Sequence, residues 1–323
     1  MKLNELGERK IIRQTLSQNR PWKPDDCYAM DNGEEYILIS SDIISRESHI
    51  PTMQYPELIG RFAANVNLSD IAAMAGIPEG MTVSYVVGGD TEDSFLGAVH
   101  RGITEELKKN GADIFGGDTK EGQGFVIGGT ILGKQKKELT RFRSQIKPRQ
   151  IIGHTNTLGK AASGYIFHKS GYSKEEGIRM LLGIQARVHE ASILSKAGAR
   201  FMMDMSDGLY SCISQMKEDY GIGFKIVHDE INIDRHADKA SLISGLSPLE
   251  IATNFGGDYE LLFTVDSENY EKLSETADSE GIDISFIGET WEGENLLYDG
   301  QQWIGISGKG WEHFSKNLLA SRV

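Results

Sequence analysis

Apolar residues along the chain recur with two different spacings, and each spacing predicts one kind of element. Strict alternation predicts strands, and apolar residues spaced as on one face of a helix predict helices. Strands are predicted over residues 35–40, 81–87, 112–115, 124–132, 150–154, 200–205, 259–265 and 282–287. Helices are predicted over residues 1–16, 55–74, 94–110, 174–197, 209–220 and 268–280. This order predicts the α+β class with two unlike lobes.

A basic and polar segment, residues 133–148, separates the two sets of elements. We place the domain boundary at its start, which divides the chain into residues 1–133 and residues 134–323.

The charge balance constrains the partners of the protein. The 323 residues include 47 acidic and 34 basic ones, giving a net charge of −13, which argues against a general nucleic-acid-binding surface. No apolar run is long enough to span a bilayer, so no membrane partner is expected. The N-terminal residues predict a surface helix rather than a signal peptide. With only Cys27 and Cys212 there is no disulfide framework, and a soluble, cytoplasmic protein is expected.

The common nucleotide-binding motifs are absent. The nearest segment to a P-loop, residues 153–161, has one residue too many and Ala161 where a metal-binding hydroxyl is required. If the chain binds a nucleotide, it does so through other groups.

Short clusters that contain aspartate lie where strands are predicted to end. They are Asp25-Asp26, Ser40-Ser41-Asp42, Ser69-Asp70, Gly116-Gly117-Asp118 and the segment from Asp204 to Gly208. Carboxylate oxygens are the ligands that Mg²⁺ prefers, and several ions beside a triphosphate need carboxylates from several elements. The alternative is that these residues cap helices and build turns, which Asp and Ser commonly do.

The clusters, in their order, resemble a known family. The matching segments are Gly7-Glu8 and residues 25–27, 40–49, 65–76, 115–119, 204–209, 257–265 and 310–314. Together they resemble thiamine-monophosphate kinase, of the superfamily that includes aminoimidazole ribonucleotide synthetase.

The resemblance implies a fold, a partner and a reaction. The N-terminal lobe would bind ATP and Mg²⁺ and form a homodimer through its sheet, and a C-terminal α/β lobe would complete the ATP and substrate sites. ATP and several Mg²⁺ ions would lie between the lobes. The γ-phosphate would pass in line to thiamine monophosphate, an anion that needs no general base, so no catalytic residue beyond the metal ligands is expected.

The resemblance also implies roles for individual residues. The metal ligands would be Asp26, Ser40, Ser41, Asp42, Asp70, Asp118, Asp204 and Asp207. ATP would contact Gly117, Asp118, Arg143 and Ser206. Thiamine monophosphate would contact His49, Trp311 and Asp258.

Three departures from the family pattern stand out. Gly257 occupies the position of a substrate-contacting Glu, for which Asp258 is the candidate substitute. Pro24 replaces a Gly, and the aromatic residue expected beside adenine has only His100 as a candidate. The alternatives are therefore another ATP-dependent enzyme of the superfamily with a different acceptor, a catalytically silent nucleotide- or metal-binding protein, or a purely structural protein.

Overall fold

The computed structural model describes residues 7–15, 25–306 and 310. The strands are β1 (Tyr28–Asn32), β2 (Glu35–Ser45), β3 (Ile77–Val87), β4 (Asp113–Glu121), β5 (Val126–Lys136), β6 (Gln150–Thr155), β7 (Ala199–Asp204), β8 (Gly223–Val227), β9 (Leu261–Asp266), β10 (Ile284–Trp291), β11 (Leu296–Tyr298) and β12 (Trp303–Gly305). The helices are α1 (Glu8–Thr15), α2 (Pro56–Ala73), α3 (Asp93–Lys109), α4 (Lys160–Ser170), α5 (Lys174–Leu182), α6 (Val188–Ala197), α7 (Leu209–Tyr220), α8 (His236–Ser244), α9 (Pro248–Thr253) and α10 (Tyr270–Glu280). Among these helices, none has the length and apolar character needed to cross a bilayer.

The first lobe is built on a five-stranded sheet with the order β1-β2-β5-β3-β4. Its neighbouring strands are antiparallel except for the parallel pair β3–β4. Residues directly opposite one another share a face of a sheet, so Asp42, Gly129, Val83 and Gly117 form one row across four strands. We call this the inner face, because Asn67 of α2 contacts it at Asp42.

The second lobe is built on a seven-stranded sheet with the order β12-β11-β8-β10-β6-β9-β7. Strands β6, β9 and β7 are almost entirely buried, as expected for a central sheet covered on both faces. The edge strand β7 lies against α2 of the first lobe, where Ala72 and Ala73 share an apolar cluster with Ala199 and Met202. Helix α2 therefore packs against both sheets.

The α+β prediction with two unlike lobes is confirmed. The boundary at residue 133 stays a prediction, and so does dimerisation through the first sheet. Helix α7 begins and ends where the apolar spacing predicts. Helix α4 and strands β1, β8, β11 and β12 were not predicted, and neither were α8 and α9. Helix α4 is rich in small residues and largely buried, so it has no apolar stripe to detect.

The prediction that the aspartate clusters lie at strand ends is wrong for three of them. Ser40, Ser41 and Asp42 lie inside β2, which continues to Ser45. Asp70 lies within α2, and Asp118 lies inside β4. In the second half of β2, one face lies against a polar site and the other faces solvent, so polar residues interrupt the apolar pattern. The pattern therefore ends at residue 40, whereas the strand continues to Ser45.

Candidate functional site

Three carboxylates converge where the two lobes meet. Asp26 precedes β1, Asp70 lies in α2, and Asp204 is the last residue of β7. One carboxylate oxygen from each lies within 4.8 Å of the other two, and we call this set the aspartate cluster. The sequence separation between its members means that only the packing of the lobes brings them together.

Helix α2 and strand β2 position the first-lobe part of the cluster. Ser40 and Asp42 share the inner face, and the Ser40 hydroxyl donates a hydrogen bond to the Asp70 carboxylate. The backbone amide of Asp42 donates to Oδ1 of Asn67 at 3.4 Å. Gly129 permits this approach, since a Cβ there would lie 2.6 Å from the Asn67 amide group.

Serine hydroxyls from both lobes hold Asp204. The Ser69 hydroxyl donates to Oδ2 of Asp204 at 2.8 Å, and the Ser206 hydroxyl lies 3.5 Å from Oδ1. Ser69 and Asp70 are consecutive in α2, so one residue donates to Asp204 while the next supplies a neighbouring carboxylate.

The crowding of negative charge changes the protonation equilibria of the cluster. Burial, and then the charges of Asp42 and Asp204, raise the pKa of Asp70 well above its usual value. Burial, and then the charge of Asp26, raise the pKa of Asp204 to about 8, although the Ser69 hydrogen bond opposes this. Full ionisation of the cluster at neutral pH therefore requires additional positive charge beside it.

Arg143 supplies positive charge at one side of the cluster. Its Nη2 lies 2.5 Å from Oδ1 of Asp26 and its Nε lies 3.2 Å from Oδ2, so the pair is bidentate. Burial alone would lower the pKa of Arg143, but Asp26 outweighs it and raises that pKa. The side chains of Arg143 and Asp26 are 12% and 3% exposed, so the ion pair is screened little by water.

The donor set fits Mg²⁺. The cluster offers hard carboxylate oxygens from three elements, and a divalent cation would offset the charge that raises the two pKa values. The two thiols nearby do not add soft ligands, since burial raises the pKa of both Cys27 and Cys212 and keeps them protonated. Their sulfur atoms donate to the backbone oxygens of Asp70 and Asp204.

Two sequence-predicted ligands lie away from the cluster. Ser41 and Asp118 lie on the outer face of the first sheet, opposite to the row that holds Asp42. With β5 and β3 between them, the backbones of Asp42 and Asp118 are roughly 14 Å apart at ~4.8 Å per strand. Asp118 is 61% exposed and paired with Lys120, whose hydrogen bond lowers the pKa of Asp118. Alternation in β2 sends the adjacent residues Ser41 and Asp42 to opposite faces, and the metal roles of Ser41 and Asp118 stay predictions.

The remaining predicted residues occupy separate places. Gly117 lies in β4 beside β3, where a Cβ would meet the Val83 carbonyl at 1.7 Å. Nδ1 of His49 lies 2.7 Å from the Ser48 hydroxyl, near the end of β2. Burial raises the pKa of Tyr259 well above its usual value, and the charges of Asp42, Asp204, Asp207 and Asp70 raise it further, so Asp207 lies near the same ring. Trp311 lies outside the described residues.

Asp258 has a structural engagement that the sequence did not indicate. Its carboxylate accepts hydrogen bonds from the backbone amides of Gly159 at 2.6 Å and Ala161 at 2.8 Å, at the start of α4. Burial raises the pKa of Asp258 to about 7, although these two hydrogen bonds lower it. Arg143, for which the sequence predicts a phosphate contact, forms an ion pair with Asp26.

Tyr259, Glu260 and Arg187 were given no role by the sequence analysis. Tyr259 has a left-handed backbone, with a φ of +53°, and its buried ring lies edge-on to Phe62 of α2. Glu260 accepts hydrogen bonds from Arg187 at 2.6 and 2.7 Å, and this ion pair anchors the start of β9. The sequence signal for this unusual turn was a glycine followed by a polar and an aromatic residue, Gly257-Asp258-Tyr259.

Comparison with known proteins identifies the family. The model of AIR synthase related protein, N-terminal domain, matches residues 24–135, and that of the C-terminal domain matches residues 153–297. The chain is 28% identical over 316 residues to a thiamine-monophosphate kinase of Pyrococcus horikoshii, covering 96% of this chain and 97% of the relative. It is 30% identical over 297 residues to that of Pyrococcus abyssi, covering 91% of each. The chain belongs to the thiamine-monophosphate kinase family.

Solved structures support the fold of this family member. The AaThiL complex with AMPPCP and TMP has a TM-score of 0.84 at 24% identity, covering 97% of this chain and 99% of the other. The hydrogenase maturation protein HypE of E. coli has a TM-score of 0.71 at 16% identity, covering 93% and 97%. Because kinase and maturation protein share this fold, the fold alone does not choose the reaction. The resemblance to thiamine-monophosphate kinases seen in the sequence motifs is confirmed.

Proposed function

We propose that this chain phosphorylates thiamine monophosphate to thiamine diphosphate with ATP. The observation that carries the proposal is the aspartate cluster at the junction of the lobes in a member of this family. The AaThiL neighbour was solved with AMPPCP and TMP, which agrees with an adenine nucleotide and a phosphorylated acceptor as ligands.

The metal ligands proposed on the inner side are Asp26, Asp42, Asp70, Asp204 and Asp207, with Ser40 as a further oxygen donor. Several bound Mg²⁺ ions would supply the positive charge that allows two anionic substrates to approach each other. Ser40 donates a hydrogen bond to Asp70 in this set, and Arg143 orients Asp26.

The transfer is proposed to be in line, from the γ-phosphate of ATP to the phosphate of the acceptor. That acceptor is already an anion, so the protein has only to position the two substrates and exclude water. Tyr259 is buried edge-on to Phe62, and its burial and the neighbouring aspartates raise its pKa, so its ring would help to exclude water from the site. His49, Asp258 and Trp311 are proposed to contact the acceptor, and Ser206 and Arg143 to contact ATP.

A homodimer is proposed through the outer face of the first sheet. Large apolar side chains lie on or beside this face: Tyr28, Met30, Ile43 and Phe115 are 60%, 41%, 63% and 56% exposed. Such a patch on a soluble enzyme favours association with a second copy. Ser41 and Asp118 share this face, so their proposed metal roles would lie towards the partner, whereas Gly117 belongs to the inner row and its proposed ATP contact would be made from the inner face. Both cysteines are free, which agrees with a reducing, cytoplasmic location.

The proposal is tested by incubating the protein with γ-labelled ATP, Mg²⁺ and thiamine monophosphate. Label in thiamine diphosphate that depends on Mg²⁺ supports it. Release of free phosphate alone, or transfer without a divalent cation, contradicts it.

A second candidate is transfer to a different phosphate acceptor, and Gly257 favours it. Gly257 has a φ of +96°, and a Cβ there would lie 3.1 Å from the Ala161 side chain. A glutamate would be strained in that conformation, so the local backbone is adapted to glycine. Competing other phosphate monoesters against thiamine monophosphate in the same assay separates the two candidates.

A further inference from the structure

Ser69 has no role in the proposed ligand set, but it joins the two lobes at the aspartate cluster. It lies in α2 and is 0% exposed, and its hydroxyl donates to Oδ2 of Asp204 across the lobe junction at 2.8 Å. Asp204 belongs to β7 of the second lobe, 135 residues further along the chain.

A buried serine hydroxyl in a helix usually donates to the carbonyl oxygen four residues earlier. Ser163 does this in α4, where its hydroxyl donates to the Gly159 oxygen at 2.7 Å. Ser69 instead uses its only donor on a carboxylate of the opposite lobe. This hydrogen bond restrains the Asp204 carboxylate, and it is strongest when that carboxylate is ionised, which is the form that binds a cation.

The restraint acts against a repulsive neighbourhood. Asp204 lies beside Asp26 and Asp70, and when the three carboxylates are ionised, like charges would turn its carboxylate away from the other two. The second hydroxyl on Asp204, that of Ser206, lies at 3.5 Å and is a weak contact. Ser69 therefore supplies the short side-chain hydrogen bond that keeps Asp204 directed at the other two carboxylates.

We propose that Ser69 is a positioning residue that preorganises Asp204 for a divalent cation. This inference rests on the metal role proposed above for Asp204. Preorganised ligands bind a metal more tightly because less freedom is lost on binding, and partners of the ligands typically contribute 10- to 100-fold to metal affinity. Removal of the hydroxyl should weaken cation binding with little effect on the fold.

The test measures the affinity of the full chain for Mn²⁺ in the absence of nucleotide and thiamine monophosphate. The EPR signal of the free ion reports how much Mn²⁺ remains unbound. Ser69→Ala is expected to weaken Mn²⁺ binding about tenfold. Ser69→Cys, of similar volume but with a weaker donor, is expected to lie between the wild type and Ser69→Ala. If Ser69→Ala does not fold, the Mn²⁺ affinity of Ser69→Cys provides the test.

The matched control is Ser195→Ala. Ser195 is 3% exposed, and its hydroxyl donates to the Leu139 oxygen at 2.6 Å, so it also ties α6 to the segment between the lobes. Its loss costs a buried hydrogen bond without touching the aspartate cluster, and Mn²⁺ affinity should stay unchanged.

A double-mutant cycle shows whether Ser69 acts through Asp204. Asp204→Asn is expected to weaken Mn²⁺ binding, and adding Ser69→Ala should weaken it no further. Independent losses in the double variant would overturn the inference, as would wild-type affinity in Ser69→Ala. If the wild type binds no Mn²⁺, the metal role and this inference both fail. If it binds Mn²⁺ but transfers no phosphate, only the kinase proposal fails.

Discussion

Arg143 and Asp26 form a buried bidentate ion pair at the edge of the aspartate cluster, with Nη2 2.5 Å from Oδ1. The pair joins the turn after the first sheet to the segment before β1. Because burial removes water that would otherwise solvate both charges, each partner depends on the other.

Arg143→Met should therefore destabilise the protein by roughly 3 to 5 kcal/mol in the absence of metal, since Asp26 would be left buried and uncompensated. Added Mg²⁺ should recover part of this loss by binding the freed carboxylate. Urea unfolding with and without Mg²⁺ measures both effects. In the control Arg61→Met, an exposed pair with Glu105 is lost, and the cost should be below about 1 kcal/mol. Equal costs for the two variants would contradict the importance of burial.

Asp70→Asn should raise the unfolding temperature of the metal-free protein at pH 8 while lowering phosphate transfer by roughly 100-fold or more. The substitution removes a buried charge that the charges of Asp42 and Asp204 disfavour, as the raised pKa of Asp70 indicates. Asp266→Asn is the matched control, because hydrogen bonds from Gln150 and Arg200 outweigh burial and lower the pKa of Asp266. That control should lower the unfolding temperature instead. A lower unfolding temperature for Asp70→Asn would show that the cluster is not electrostatically strained.

His154 should make the protein sensitive to mild acid. It is 0% exposed in β6, its Nδ1 lies 3.1 Å from the Thr155 oxygen, and its Nε2 has no hydrogen-bond partner among the described residues. Burial lowers the pKa of His154 to about 4, below its value of 6.5 in the unfolded chain. The unfolded state therefore binds more protons between these values, and stability is lost as the pH falls from 6.5 towards 4.

The contribution of this histidine is about 3 kcal/mol across that range. His154→Leu should flatten the dependence of the free energy of unfolding on pH over the same window, as measured by urea titrations. His189→Leu, at an exposed position in α6, should leave the dependence as in the wild type. An unaltered acid response in His154→Leu would assign the sensitivity to other groups.

Ile43→Glu should dissociate the proposed homodimer. Ile43 is 63% exposed on the outer face of the first sheet, and a carboxylate there would be buried unpaired in an interface. Dimer affinity should fall at least about tenfold, which corresponds to ~1.4 kcal/mol. Sedimentation equilibrium measures this, with Leu242→Glu as the control, since Leu242 is 81% exposed on α8 of the other lobe. If Leu242→Glu dissociates the dimer and Ile43→Glu does not, the contact lies elsewhere.

Local sequence patterns predicted the elements that carry clear periodicity. Helix α7 has a polar face and glycines at both ends, and its bounds agree with the prediction. Helix α4 has buried small residues on several sides, so its pattern is not that of an amphipathic helix. Strand β2 extends past its polar residues because pairing with β5 continues through them.

The candidate site, like the fold, was predicted from the sequence only in part. The sequence by itself determined the residue types: aspartates in ordered motifs that place the chain in its family and predict divalent cations. Only the tertiary structure decided which aspartates meet. It joined Asp26, Asp70 and Asp204 from different elements, and it sent Ser41 and Asp118 to the far face of a sheet. The physical reason is that a motif records chemistry locally, whereas the face of a strand and the packing of α2 between two lobes depend on contacts distant in sequence.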